Sequence, residues 1–390
     1  MIGLVVNPVA GVGGPAGLKG SDGHEIQASA RARGSARKAG ERAARALAVI
    51  ARSHPDAVIA TAAGEMGEDA VLAAGLDARV VYAAASETTA ADTTAAAAAI
   101  AANADLLLFV GGDGTARDVW SGIPVGFAAL GVPAGVKMYS ACFAVSPAAA
   151  GAVATAWTDN EVSGLPLREC EVLDVVEEQL RFGRIDPRLF GTMMVPYAPG
   201  RTQSRKAATP ASGHDAVVGA ADGLVALLIP EITYLLGPGS TLAEVARQLG
   251  VASTLLGVDV LRGGEIVLAD ASEQQLLDAL AAAPGDAPAQ AVVTVIGGQG
   301  FLLGRGNQQI SATVLKRLGA NPLLVVATED KLLGLAGRPL LVDTGDPQLD
   351  ASLVGYARVI TGPDATSLYP VQAPESAVHE LEVEGARTCV

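Results

Sequence analysis

Five consecutive residues, Gly111-Gly112-Asp113-Gly114-Thr115, set one carboxylate among three glycines and a hydroxyl. Glycine lets a backbone approach a phosphate closely, because no Cβ stands in the way. The run before them, 105–110, is short, apolar and bounded, as a buried parallel strand is. The run after them, 116–120, reads as the first turn of a helix with Thr115 as its N-cap. Strand, glycine turn and helix start would surround the acid with free N–H groups and the positive end of a helix dipole. An acid in such a place needs a task, since it repels phosphate unless it holds Mg²⁺ or takes a proton. The alternative is a tight turn to which Asp is simply suited. Three glycines around one Asp exceed what a turn requires.

Other residues offer weaker chemistry. After a strand at 2–6 comes Asn7 and then a glycine-rich loop, 11–23, with Gly13, Gly14 and Lys19. Such a loop could cradle phosphate and Lys19 neutralise it. Its spacing matches neither the P-loop nor a clean Gly-x-Gly-x-x-Gly, so a plain surface loop is the rival reading. Lys137 stands in an otherwise apolar segment, where a lysine needs a partner or a ligand. Gly239-Ser240-Thr241 precedes a helical pattern at 242–249. Ser240 or Thr241 would cap it, Glu244 would complete a capping box, and the same N–H groups suit an anion. A second glycine turn, Gly297-Gly298-Gln299-Gly300, follows a strand at 292–296. Beyond it, Asn307, Gln308 and Gln309 carry amides suited to a base or ribose, or simply to solvent. His24, His54, His214 and His379 are isolated, without metal-ligand spacing.

The Asp113 pentapeptide resembles the signature of the NAD kinase and diacylglycerol kinase superfamily, which includes sphingosine kinases. The opening Gly3-Leu4-Val5-Val6-Asn7-Pro8-Val9-Ala10-Gly11-Val12-Gly13-Gly14 is similar to the first strand and loop of that fold. Gly131-Val132-Pro133-Ala134-Gly135-Val136-Lys137-Met138-Tyr139-Ser140 resembles a motif of a bacterial branch of ATP- or polyphosphate-dependent NAD kinases. That branch includes the X protein of acetoin-catabolism clusters. Gly239-Ser240-Thr241 is similar to a dinucleotide-contacting segment, and 298–311 also looks typical of the branch. The similar segments span 1–345. Two departures stand out. The only Asn-Glu pair is Asn160-Glu161, and Leu242-Ala243 replaces the usual Ala-Tyr.

The resemblance implies an α/β, NAD kinase-like fold, with a Rossmann-like parallel-sheet N-terminal domain, a β-rich second domain and an active site in the cleft. It implies phosphoryl transfer from ATP or polyphosphate, with Mg²⁺ or Mn²⁺, to the ribose 2′-hydroxyl of NAD. Asp113 would be the catalytic group; the metal ligands are left unassigned. Cofactor binding would fall to Gly111, Gly112, Gly114, Thr115, Asn7, Gly13, Gly14, Lys19, Lys137, Gly239, Ser240, Thr241, Gly298, Gly300 and Asn307. A same-fold kinase of another small hydroxylated metabolite or nucleoside, and a non-catalytic nucleotide sensor, stay open as rivals.

A chain of 390 residues is long enough for two full cores. Half of the residues are hydrophobic but only 4% aromatic, so helices should pack closely through alanine. A net charge of −14 argues against nucleic acid or anionic membrane as partner. Three cysteines, odd in number and far apart, suggest no disulfide framework and fit a reducing cytoplasm. No signal peptide or apolar span of ~18–20 residues is apparent. The expected partner is NAD or a related small acceptor, and the chain is expected to form a homo-oligomer.

Strands at 57–62 and 78–83 and helices at 25–53, 67–74 and 147–157 make the first 150 residues alternate in the βαβ manner, which implies a parallel sheet. Gly34 or Gly40 could break the long helix. Farther on, 171–176 and 224–229 read as short strands, 234–250 and 292–318 as strand-loop-helix units, and 323–328 and 339–343 as strands. The tail after Pro370 should fray. The expected organisation is 1–158 as the nucleotide-binding domain, 159–345 as the acceptor-binding domain and 346–390 as a return segment and tail.

Overall fold

The computed structural model describes residues 1–18, 24–84, 88–136, 138–159, 165–175, 187–203, 213–283 and 288–374. Lys19, Lys137, Asn160-Glu161 and the tail from 375 lie outside the described residues. Two compact units emerge: 1–12 with 36–205 and 374–390, and 13–35 with 206–373.

In the first unit, β1 (Ile2–Val6), β2 (Val58–Ala62), β3 (Asp77–Tyr82), β4 (Leu106–Gly111), β5 (Ala128–Pro133), β6 (Leu167–Val175) and β7 (Pro187–Pro196) form a sheet ordered β3-β2-β1-β4-β5-β7-β6. All neighbours are parallel except β6 and β7. The central β1, β4 and β5 are buried along their whole length. That is why they read as continuous apolar runs without alternation. The order reverses between β1 and β4, so the carboxyl ends of these two strands are where a ligand of such a sheet belongs.

Helices α2 (Ala39–Ser53), α3 (Glu68–Ala73), α4 (Ala90–Ala101), α5 (Asp113–Gly122) and α6 (Pro147–Asp159) belong to this unit. Small residues set their spacing. A Cβ on Gly151 of α6 would run into the Ala46 carbonyl of α2, and one on Gly122 of α5 into the Thr94 carbonyl of α4. The helix expected over 25–53 is two helices. The first, α1 (His24–Ala32), ends in a Schellman turn, with Gly34 at φ +77°. Gly34 N–H donates to Arg31 O and Ser35 N–H to Ala30 O.

The second unit holds a nine-stranded mixed sheet ordered β10-β9-β8-β11-β13-β15-β16-β14-β12. Its strands are β8 (Thr233–Leu236), β9 (Asp259–Arg262), β10 (Glu265–Leu268), β11 (Ala289–Thr294), β12 (Phe301–Leu303), β13 (Leu323–Val326), β14 (Leu340–Val342), β15 (Gly355–Gly362) and β16 (Ala365–Gln372). The unit is less purely β than expected. It includes α1, α7 (His214–Val225), α8 (Ser240–Gln248), α9 (Glu273–Ala281), α10 (Ala312–Leu318), α11 (Glu329–Leu333) and α12 (Pro347–Ser352). Alternate residues of its parallel strands feed two cores. Leu235, Ala291, Val293, Val325 and Val359 face one, with Leu276 and Val314 from helices. Tyr234, Leu236, Val292, Val326 and Ile360 face the other, with Leu224 and Val245.

Three expectations fail here. The run 224–229 is not a strand: it is the end of α7 and the turns after it, because Ala220, Ala221 and Leu224 meet the core with helical period. The chain does not fray at Pro370, since β16 pairs with β15 and β14 and buries Val371. The units do not divide at 158/159 or at 345/346. The β6–β7 pair extends the first sheet, and β15 and β16 are interior strands of the second.

Candidate active site

Three strand ends of the first sheet are locked together by glycine. Gly111, closing β4, accepts hydrogen bonds through its carbonyl from Ala134 and Gly135 N–H, in the loop after β5. A Cβ on Gly135 would sit 2.5 Å from Gly112 Cα. One on Gly11, after β1, would strike the Ala134 carbonyl, and Gly11 also has φ +75°. The glycines thus set how tightly the three loops converge, before any ligand is considered.

Helix α5 starts earlier than the sequence suggested. Gly112, extended, is the N-cap, and Asp113 is the first helical residue. Thr115 is therefore not a cap. Its Oγ1 accepts from Asn7 Nδ2 at 3.0 Å, while Asn7 Oδ1 accepts from Val9 N–H. Asn7 so ties the loop after β1 to the first turn of α5. A Cβ on Gly111 would collide with Thr115. The N–H groups of Asp113, Gly114 and Thr115 have no intrahelical acceptor, as at any helix start.

Asp113 is only 6% exposed. Its Oδ2 accepts from Tyr139 N–H at 2.6 Å; its Oδ1 accepts from Ser140 N–H at 3.0 Å and from Ser140 Oγ–H at 2.6 Å. Burial pushes the carboxyl up to about 7, against the pull of these three donors and with a smaller push from the negative Asp174. Arg117 of α5 pairs with Asp174 at 2.7 Å. Burial and the Asp113 charge likewise raise the Tyr139 hydroxyl to about 12 and push the Cys142 thiol up. A carboxylate offers about four lone-pair sites. Among the described residues three donors meet it, two on Oδ1 and one on Oδ2, which leaves one lone pair of Oδ2 unused by them. An acid near neutrality with one open lone pair can accept a proton at physiological pH.

In the second unit, Gly239 (φ +129°) is the N-cap of α8 and no side chain caps it. The capping box fails because Glu244 turns instead to Arg247, at 2.6 and 2.7 Å, and to Gln248. Ser240 is exposed, whereas Thr241 is fully buried. Lys331 of α11 donates to Thr241 Oγ1 at 3.1 Å and to Thr294 Oγ1, at the end of β11, at 3.3 Å.

The remaining candidates serve the backbone. Gly13 and Gly14 close turns through carbonyls that accept from Leu18 and Gly17. Gly298 (φ +78°) and Gly300 (φ +84°) shape the β11–β12 turn, with carbonyls accepting from Arg338 and Leu341. Asn307 is buried; its Nδ2 donates to Leu302 O and its Oδ1 accepts from Gly304 N–H. Its amide is committed to closing that loop, which removes the ground for giving it a base or ribose. Sequence reasoning passed over Ser140, Thr294 and Lys331 as individual site residues. Ser140 had a signal, a hydroxyl in an apolar run just past Lys137; Lys331 had only its charge in a short helix.

Among the described residues no group of three or more His, Cys, Asp or Glu could hold a metal ion. With Asp113 already dressed by three donors, these side chains do not form a cation cage, and no step below is routed through a metal. No helix of the described residues is long and apolar enough to cross a membrane. The family model described as ATP-NAD kinase N-terminal domain matches residues 2–162, and the one described as ATP-NAD kinase C-terminal domain matches residues 229–371. No curated protein and no solved structure matches the chain.

Proposed function

The chain belongs to the ATP-NAD kinase family, and on that premise we propose that it moves the terminal phosphoryl group of ATP or polyphosphate to the ribose 2′-hydroxyl of NAD, giving NADP. The observation that carries this reading is the buried Asp113 carboxylate, with one lone pair of Oδ2 that no described donor uses, just past the carboxyl end of β4. The 2′-hydroxyl donates to that lone pair, which aims its oxygen at the terminal phosphorus. A P–O bond forms to the ribose and the bond to the leaving phosphate breaks. The hydroxyl proton passes to Asp113 and then to solvent. Phosphoryl transfer through a loose transition state asks little of a base, so Asp113 acts chiefly by orientation. The free N–H groups of Asp113, Gly114 and Thr115 suit a phosphate oxygen. Gly111, Gly112 and Gly135 keep the backbone there close and fixed. Divalent metal use is a family trait and accompanies the donor phosphates.

We place the chain in the bacterial branch that accepts ATP or polyphosphate, acting as a homo-oligomer. The test is incubation with Mg²⁺, either donor and NAD, read by an NADP-specific dehydrogenase. NADP above a boiled control is expected. No NADP, together with phosphate on another acceptor from a panel, would move the assignment to a same-fold kinase of that acceptor.

A further inference from the structure

We propose that Ser140 is a positioning residue whose hydroxyl switches acceptor as Asp113 gains and loses its proton, so that the buried acid changes charge without moving the backbone. The inference rests on the role given to Asp113 above. Ser140 is fully buried. Its Oγ carries one proton and faces two acceptors, Asp113 Oδ1 at 2.6 Å and Leu173 O at 2.9 Å; it also accepts from Leu173 N–H at 3.0 Å. With Asp113 ionised, the proton points to the carboxylate, where a charge-assisted bond is strongest. With Asp113 neutral, a turn about the Cβ–Oγ bond sends it to the Leu173 carbonyl. The proton arrives on Oδ2, which leaves Oδ1 a neutral carbonyl oxygen, a weaker acceptor still held by Ser140 N–H. In both states Asp113 Oδ1 keeps the Ser140 N–H and Ser140 Oγ keeps the Leu173 N–H, so neither of these buried atoms is left unpaired.

The other two donors on Asp113 differ in kind. The Tyr139 and Ser140 N–H groups are fixed in the backbone and favour the carboxylate always. The Ser140 hydroxyl is the donor that can adapt. The remaining groups acting on the acid are Asp174 on β6 with its partner Arg117 on α5, and Tyr139 and Cys142 on the loop after β5. None of them supplies a proton that can turn between Asp113 and a backbone carbonyl in the hydrogen bonds described. The transferred proton goes from substrate hydroxyl to Asp113, and Ser140 keeps its own throughout.

The test follows the Asp113 carboxyl by ¹³C NMR against pH, assigned with Asp113→Asn, alongside kcat against pH. Removing a hydrogen bond to a charged group should raise the Asp113 midpoint in Ser140→Ala by about 1–2 pH units. The ionised fraction, and kcat with it, should fall about 5–50-fold at pH 7 and recover as pH rises. Ser140→Thr keeps the hydroxyl and should keep the midpoint within about half a unit; Ser140→Cys, a weak donor, should move it part way. A folded Ser140→Ala protein with an unmoved midpoint would overturn the inference, as would failure of both the Ala and Cys variants to fold, which would make Ser140 a structural clamp. An unmoved midpoint in a protein that makes NADP sinks only the role of Ser140. A shifted midpoint in a protein that makes no NADP sinks only the acceptor.

Discussion

The two units present opposite chemistry at the ends of their parallel strands. After β4 and β5 the first unit gathers a carboxylate among N–H donors. After β8 and β11 the second gathers two hydroxyls around an ammonium, Thr241 and Thr294 on Lys331. The first is tuned by burial and can change charge near neutrality; the second sets a cation against neutral hydroxyls. Fold alone does not decide this, since both sheets end parallel strands in glycine-bearing turns and helix starts. The side chain delivered there decides it.

The strongest way to break the contrast is Asp113→Asn. Loss of the orienting carboxylate should lower kcat by roughly 10²–10⁴-fold, measured with saturating donor and NAD. A variant retaining a third of wild-type kcat would end the assigned role. In the wild type, activity should rise as pH passes upward through about 7, where the carboxylate forms. Stability runs the other way. The folded value lies above the ordinary 3.8, so the stability that Asp113 contributes is present below about pH 4 and lost as pH rises through about 7. Thermal melts of wild type and Asp113→Asn should therefore shift in favour of the variant between pH 4 and 8.

Gly135→Ala comes next. Its methyl would press on Gly112 Cα at 2.5 Å. Overpacking of this kind costs about 1–3 kcal/mol. A displacement of about 1 Å at the Asp113 loop can cost on the order of 10²-fold in rate. An alanine variant with wild-type Tm and kcat would show that the loops have slack.

Lys331→Met tests the other unit. If this cation binds a substrate phosphate, its loss should raise that substrate's KM about tenfold, which is about 1.4 kcal/mol, with kcat little changed. A lower Tm at unchanged KM would leave Lys331 only the task of tying Thr241 to Thr294. The smallest effect belongs to Ser240→Ala. Ser240 is exposed and makes no cap, so its removal should move stability by less than about 0.5 kcal/mol. A larger loss would mean that it does cap α8; a raised acceptor KM at unchanged Tm would restore it to the site.

The runs that rest on adjacent residues are legible in the sequence. The strand before Gly111, the glycine turn and the helix after it follow from residues adjacent in sequence. Thr115 was misread as a cap because Ser and Thr at a helix start usually serve that purpose, whereas its partner, Asn7, is 108 residues away. Glu244 was misread because a nearby arginine competes for the carboxylate. Asn307 looked like a reader of ligands because an amide's type says nothing of which carbonyl it will meet.

The sequence by itself determined where strands end in glycine, that an acid stands among those glycines, and that buried parallel strands support it. Those properties depend on side-chain size, backbone freedom and hydrophobic runs within a few residues. Only the tertiary structure decided what state the acid is in and what it touches. Tyr139 and Ser140 lie 26 and 27 residues beyond Asp113, and Lys331 lies 90 beyond Thr241. Burial, which moves the carboxyl toward neutrality, comes with the loop after β5, whose Tyr139 and Ser140 meet Asp113, and with β6, which packs on α5. Desolvation and hydrogen-bond partners are properties of a place in the fold, and no residue carries them in its identity.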